Sequence, residues 1–213
     1  MMRDLSQFGI YGCYLPVNLW KKTLIVLEKR NKFIKNKANK TLAGNIKEEY
    51  DIPELIPEYG PFICAQIMNF PFFEKIAEVF RNTLCASDFD IRLHRLWINY
   101  MKKHEFNPIH THSGLFSFVI FVKIPYDLKT ELAKSPGKKS NSNFTSTLQF
   151  QYFDAGGIPM EVNVPVDKSY EGGIYIFNAS TRHLVNPFFT SDDYRITLAG
   201  NIIPCNFVPL EKK

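Results

Sequence analysis

From about residue 90 onward the chain consists of short apolar or alternating runs broken by turn-rich stretches, and this pattern limits the fold more than any other feature. The runs are Arg92 to Met101, Phe116 to Ile124, Ser146 to Phe153, Met160 to Val166, Gly173 to Phe177, His183 to Phe188 and Tyr194 to Ile203. Between them lie KSPGKKSNSN, DAGGIP, DKSYEGG and FTSDD, rich in the Gly, Pro, Asn, Asp and Ser that turns use. Seven or eight short strands of this kind fit a sandwich or jelly roll. The 19 Phe and 10 Tyr suit that reading, because aromatic rings pack well on sheets.

Ahead of these runs the periodicity is helical. Residues 16 to 36 begin at Pro16, acceptable in a first helical turn, and carry Leu19, Leu24, Ile25, Val26 and Leu27 among lysines. Within residues 61 to 85, Phe72, Ile76, Val79, Phe80 and Leu84 fall at helical spacing, and Pro71 should begin or kink that helix. The expectation is one domain over residues 1–213, mainly helical through residue 88 and β from 89 on.

The charge pattern excludes more than it assigns. The formal net charge is +5, and Lys21, Lys22, Lys29, Arg30, Lys32, Lys35, Lys37 and Lys40 crowd one stretch. That run reads as a solvated helix face, with no clear nucleic-acid site. Cys13, Cys64, Cys85 and Cys205 form no C-x-x-C pair, which argues against a zinc ribbon and fits a reducing compartment. No apolar run approaches a membrane span and no secretion signal is visible, so a cytoplasmic location is expected. Without such a signal the glycosylation-like triplets at Asn143 and Asn178 read as chance. Residues 135 to 144 read as a solvated excursion or, alternatively, a lid.

Of five histidines, two stand in NPIHTHSGLF, at 110 and 112. In an extended strand, residues two apart point to the same face, so one strand end can present both imidazoles to one metal. A pair beside a proline turn is also what an ordinary surface strand end looks like. His183, which opens a strand after a turn, is the best candidate for a third ligand, and neutral imidazoles suit Fe, Zn, Cu or Ni alike. His94 and His104 read as a strand residue and a loop residue.

Arg195 opens the strand YRITLAGNI. In a jelly roll, His183 and Arg195 are expected on successive paired strands, with the guanidinium inside the barrel beyond the metal. Arg grips a carboxylate through two parallel hydrogen bonds, so this pairing suits a small chelating ligand with a distal carboxylate. The alternative is an ion pair with Asp192 or Asp193.

The stretches LWINYMKKHEFNPIHTHSGLFSFVIFVKIP (96 to 125), GGIYIFNASTRHLVNPFFTSDDYRITLAGNI (172 to 202) and LAGNIKEEYDI (42 to 52) resemble the iron(II)- and 2-oxoglutarate-dependent oxygenases. The likeness is to a branch found in phage and bacterial genomes that is similar to prolyl hydroxylases. It implies an α+β fold with N-terminal helices packed on a double-stranded β-helix (jelly-roll) core. It also implies Fe(II) as cofactor and 2-oxoglutarate as cosubstrate, turned over with O2 to succinate and CO2 while an unidentified prime substrate is oxidised, by default hydroxylated. By position His110 and His183 become metal ligands and Arg195 the anchor of the C5 carboxylate, with Ser117 and Asn99 lining the same pocket.

Two departures stand out. Where the family commonly has a carboxylate ligand, this chain has His112, so either three histidines hold the metal or Asp154 or Glu161 completes the site. A tyrosine that often helps hold the cosubstrate is replaced by Phe121. Two other readings stay open: a three-histidine cupin-like metalloenzyme that does not use 2-oxoglutarate, and a non-catalytic jelly-roll binding protein.

Overall fold

A computed structural model describes residues 2–154 and 156–209. In chain order the elements are β1 (Ile10–Tyr14), α1 (Val17–Glu28), α2 (Arg30–Phe33), β2 (Asn36–Lys37), β3 (Glu48–Asp51), α3 (Ile56–Met68), α4 (Phe73–Leu84) and β4 (Ala86–Met101). Then follow β5 (Asn107–His110), β6 (Phe116–Lys123), α5 (Leu128–Lys134), β7 (Thr147–Phe153), β8 (Pro159–Pro165), β9 (Gly173–Asn178), β10 (Arg182–Val185) and β11 (Arg195–Pro209). The strands make two antiparallel sheets. The large one runs β1-β9-β6-β11-β4-β3-β2 and the small one β5-β10-β7-β8. This is the expected jelly roll, with helices against its outer face.

Strand alternation divides the core in two. On β6, Phe116, Phe118, Ile120 and Val122 face the helices, as do Leu96 and Ile98 of β4 and Ile174 and Ile176 of β9. They bury against Ile63 and Ile67 of α3 and Leu19 and Val26 of α1. The other faces of the same strands give Phe121, Met101, Tyr175 and Phe177, which meet Leu148, Phe150 and Val164 of the small sheet. A buried hydrogen bond of 2.7 Å between Thr23 Oγ1 and Tyr59 Oη ties α1 to α3.

The helical expectations hold with shifted ends. The first helix breaks at Lys29, and Pro71 falls in the gap between α3 and α4. Three strands in the N-terminal part, β1, β2 and β3, join the large sheet. Their short lengths hide them, because five residues or fewer give too few alternations to stand out. One expectation is overturned. His183 lies on β10 of the small sheet and Arg195 on β11 of the large one, so they are not on paired strands but on opposing sheets. Among the described residues no helix is long and apolar enough to cross a membrane.

Candidate metal centre

The three imidazoles converge. In the β5–β10 ladder His110 and His183 are direct partners, and His112 follows in the loop after β5. One ligand atom from each lies within 4.8 Å of the others, and among the described residues this group contains no carboxylate. Asp154 instead accepts from the backbone of Gly156 and Ile158 in the exposed β7–β8 turn. Glu161 is exposed on β8 and bonded to the Gln149 amide. Neither completes the site.

Local structure fixes each ring. His112 N–H donates to Ala179 O at 2.8 Å, and Leu115 N–H to Ile202 O at 2.8 Å, which staples the 112–115 loop to the strand ends. Gly114 makes the staple possible: its φ is +101°, and a Cβ there would stand 2.5 Å from Ile202 O. Before β10, Asn178 Oδ1 accepts from Ser180 N–H at 2.8 Å, an Asx turn that delivers His183 into the interior. The side chain of that glycosylation-like triplet is thus used inside a turn. Pro108 O lies 2.7 Å from His110 Nδ1 and Thr181 O 2.9 Å from His183 Nδ1. A carbonyl can only accept, so both Nδ1 atoms carry the proton and both Nε2 lone pairs stay free.

Burial keeps the rings neutral. It lowers His183 to about 3, with the nearby His110 and His112 adding to the effect. His112 is lowered to about 4 by burial, then by His110 and Arg95. His110 is lowered as well, by burial, against the Pro108 carbonyl. Three neutral, converging imidazoles are a competent site for a divalent transition metal. Trp97 flanks it, with its ring centroid 5.6 Å from that of His112.

The histidines stand at one end of a cavity between the sheets. On β11 Ala199, paired with Trp97, marks that end, and Arg195, paired with Met101, marks the other. Phe121, Leu148 and Phe177 supply apolar walls between them. Arg195 is 2% exposed, and its Nε and Nη1 have no hydrogen-bond partner. The nearby aspartates are taken, Asp192 by Lys103 and Asp193 by Lys123. The buried hydroxyls of Tyr126 and Ser146 neighbour one another, and the Arg195 charge is felt at Tyr126, but neither residue borders the cavity. Burial raises Tyr126, opposed by the Arg195 charge, so its phenol remains a donor. Buried donors without partners are rare. The two on Arg195 border the cavity and form a receptacle for an anion.

Asn99 also lines the cavity, and its amide donates to Thr197 Oγ1 at 3.1 Å. Ser117 does not line it. Its hydroxyl bonds Gly200 O at 3.0 Å and Asn201 Oδ1 at 3.2 Å, which makes it a fastener between β6 and β11. No residue of 135–144 borders the cavity either. The covering segment is 42–46, through Leu42, Ala43, Gly44 and Ile46. Glu49 escapes sequence reading, since no periodicity marks it. Only LAGNIKEEYDI hints at the covering segment.

Residues 95–201 match the family model described as "Putative 2OG-Fe(II) oxygenase". No curated protein is matched. Among solved structures the chain is similar to a Pseudomonas putida prolyl-4-hydroxylase at 16% identity, covering 95% of this chain and 93% of that one, with a TM-score of 0.47. It is similar to a Trichoplax adhaerens prolyl hydroxylase in complex with a hypoxia inducible factor oxygen degradation domain peptide fragment, at 10% identity, 91% and 83% coverage and a TM-score of 0.47. A third is SnoN, a non-heme alpha ketoglutarate dependent epimerase from nogalamycin biosynthesis, at 12% identity, 92% and 78% coverage and a TM-score of 0.46.

Proposed function

Because the chain belongs to the 2OG-Fe(II) oxygenase family, we propose that His110, His112 and His183 hold its iron and that Arg195 anchors the distal carboxylate of its cosubstrate. Bound together, Fe(II) and 2-oxoglutarate supply the oxidation, in which O2 converts 2-oxoglutarate to succinate and CO2 while a prime substrate is oxidised, by default hydroxylated. The residues present fit both groups. The histidines offer lone pairs and no proton to displace at neutral pH. The carboxylate would take the unmet donors of Arg195, while Phe121 keeps the middle of the cavity apolar.

One observation carries this reading: a neutral histidine cluster and an unpaired buried guanidinium share a single cavity. The protein's share of the work is positioning. The ladder fixes His110 and His183 and the stapled loop His112, the guanidinium sets the direction of the cosubstrate, and the apolar walls exclude water. Residues 42–52 and the two longer motifs support the further proposal that the chain is of the branch found in phage and bacterial genomes and acts in the cytoplasm.

The test is a thermal-shift titration with Fe(II) under anaerobic conditions, then with 2-oxoglutarate. A ligand that binds only the native state must raise the midpoint. Stabilisation by 2-oxoglutarate that requires metal and Arg195 supports the reading. Metal binding that ignores 2-oxoglutarate and survives Arg195→Ala points to a cupin-like metalloenzyme instead, and indifference to both points to a binding protein.

A further inference from the structure

Beside the histidines, hydrogen-bond acceptors face the cavity without donors to meet them. Glu49 on β3 is 1% exposed and pairs with Asn99 in the β3–β4 ladder. Asn39 Nδ2 donates to Glu49 Oε2 at 3.3 Å, and among the described residues no donor reaches Oε1. The side-chain oxygens of Asn99 and Asn107 are buried and have no partner. Glu49 Oε1 and Asn107 Oδ1 each lie 2.5 Å from the point where a Cβ on Gly44 would stand. Two oxygens from opposite sheets therefore converge beneath the 42–46 segment, near enough for one nitrogen to bridge them. Glycine at 44 is what allows this close approach.

Glu49 has no counter-ion among the described residues. Arg95, whose charge is felt at Glu49, is committed to Asp51 at 2.7 and 3.0 Å and to Thr41 at 2.7 Å. A buried carboxylate without a cation is costly, and amide oxygens left without donors add to that cost. The missing complement has N–H donors and a positive charge.

We propose that Glu49 and Asn107, flanked by Asn99, form the recognition site for an N–H cation of the prime substrate, a protonated primary amine or a guanidinium. The assignment to a prime substrate rests on the oxygenase reading of the same cavity. Asn107 and His110 are both on β5, three residues or roughly 10 Å apart at strand rise. A substrate held by its cation therefore presents to the metal a carbon several bonds from the nitrogen.

The experiment is calorimetric titration of the metal-free protein and of the anaerobic Fe(II)–2-oxoglutarate complex with four probes. They are n-butylammonium, n-butylguanidinium, butyltrimethylammonium (charge without N–H) and butanol (no charge). The first two are expected to bind at least tenfold more tightly than the others, and Glu49→Gln to lose at least tenfold for both. Asn107→Leu, which leaves β3 intact, is expected to lose several-fold. A free lysine derivative blocked at its α-amine and a short lysine peptide then distinguish a small-molecule source from a protein one. Equal binding of all four probes, or wild-type affinity in Glu49→Gln and Asn107→Leu, overturns the proposal. Because 2-oxoglutarate binding is recorded separately, its failure removes the oxygenase reading while the cation arm is still read on metal-free protein.

Discussion

His110 and His183 are direct partners across the β5–β10 ladder, with ring centroids 4.3 Å apart. Two of the three candidate ligands are therefore written into strand register, and the third, His112, is set by the stapled loop that follows β5. Truncating either ring removes one ligand and leaves the other held by its carbonyl. His110→Ala and His183→Ala should each lower metal affinity by more than the 10–100-fold that even outer-sphere changes cost. Elemental analysis of the purified variants, with circular dichroism to check the fold, measures this.

Arg195 links stability to ligand in opposite directions. With no ligand bound, its buried guanidinium atoms are unmet, a cost of about 1–3 kcal/mol for such groups. Arg195→Met should therefore keep or raise the melting temperature of the ligand-free protein and abolish the stabilisation by 2-oxoglutarate. A melting temperature that falls by several degrees would show that the arginine has partners beyond the cavity.

The sequence makes all three candidate ligands readable, and it reveals the β core and the His110–His112 pair for one reason: period-2 alternation is local. The run from Phe116 to Lys123 announces its own strand, and H-x-H announces its own shared face. What sequence hides is pairing between distant segments. Nothing in Arg182–Val185 says that β10 pairs with β5 and β7, which is why His183 and Arg195 end on opposing sheets. Glu49 and the unmet donors of Arg195 are legible only once burial is known, and that is a property of the assembled interior.

Glu131 pins the connection that precedes Arg195. Fully buried at the first turns of α5, its carboxylate accepts from Phe189 N–H at 2.9 Å and Thr190 N–H at 2.6 Å, and from the Thr190 and Thr145 hydroxyls. Glu131→Ala strands two backbone donors, so a loss of about 2–4 kcal/mol is expected, seen in urea denaturation. Residual 2-oxoglutarate binding should weaken as well, because the 187–190 loop leads to β11.

Glu49 predicts a pH dependence that His protonation alone would not give. Burial first, then the Glu105 charge, raises it from the usual 4.5 to about 7, with Arg95 opposing. Between those values the folded protein holds a proton that the unfolded chain releases. The stabilising effect is full below about 4.5 and lost as pH rises through about 7. Glu49→Gln removes the titration, so its melting temperature should decline less than the wild type's between pH 5 and 8. Parallel curves would rule this out.

His112 poses the sharpest question about chemistry. Three neutral imidazoles leave a divalent ion its full double charge, whereas two imidazoles and a carboxylate leave one unit. The extra charge favours any anion that joins the metal, 2-oxoglutarate included. His112→Asp should therefore shift affinity between the two ligands, tightening Fe(II) and weakening 2-oxoglutarate in the metal-loaded protein. Asp is also shorter than His, so its oxygen starts farther from His183 and the Trp97 ring loses its neighbour. Some gain in metal affinity is expected despite that, because a carboxylate attracts the cation through a net charge that imidazole lacks. Paired calorimetric titrations of metal, then of cosubstrate, read both terms. If the two affinities fall together, geometry outweighs charge and His112 is required for its length; if they move in opposite directions, the third histidine sets the charge of the site.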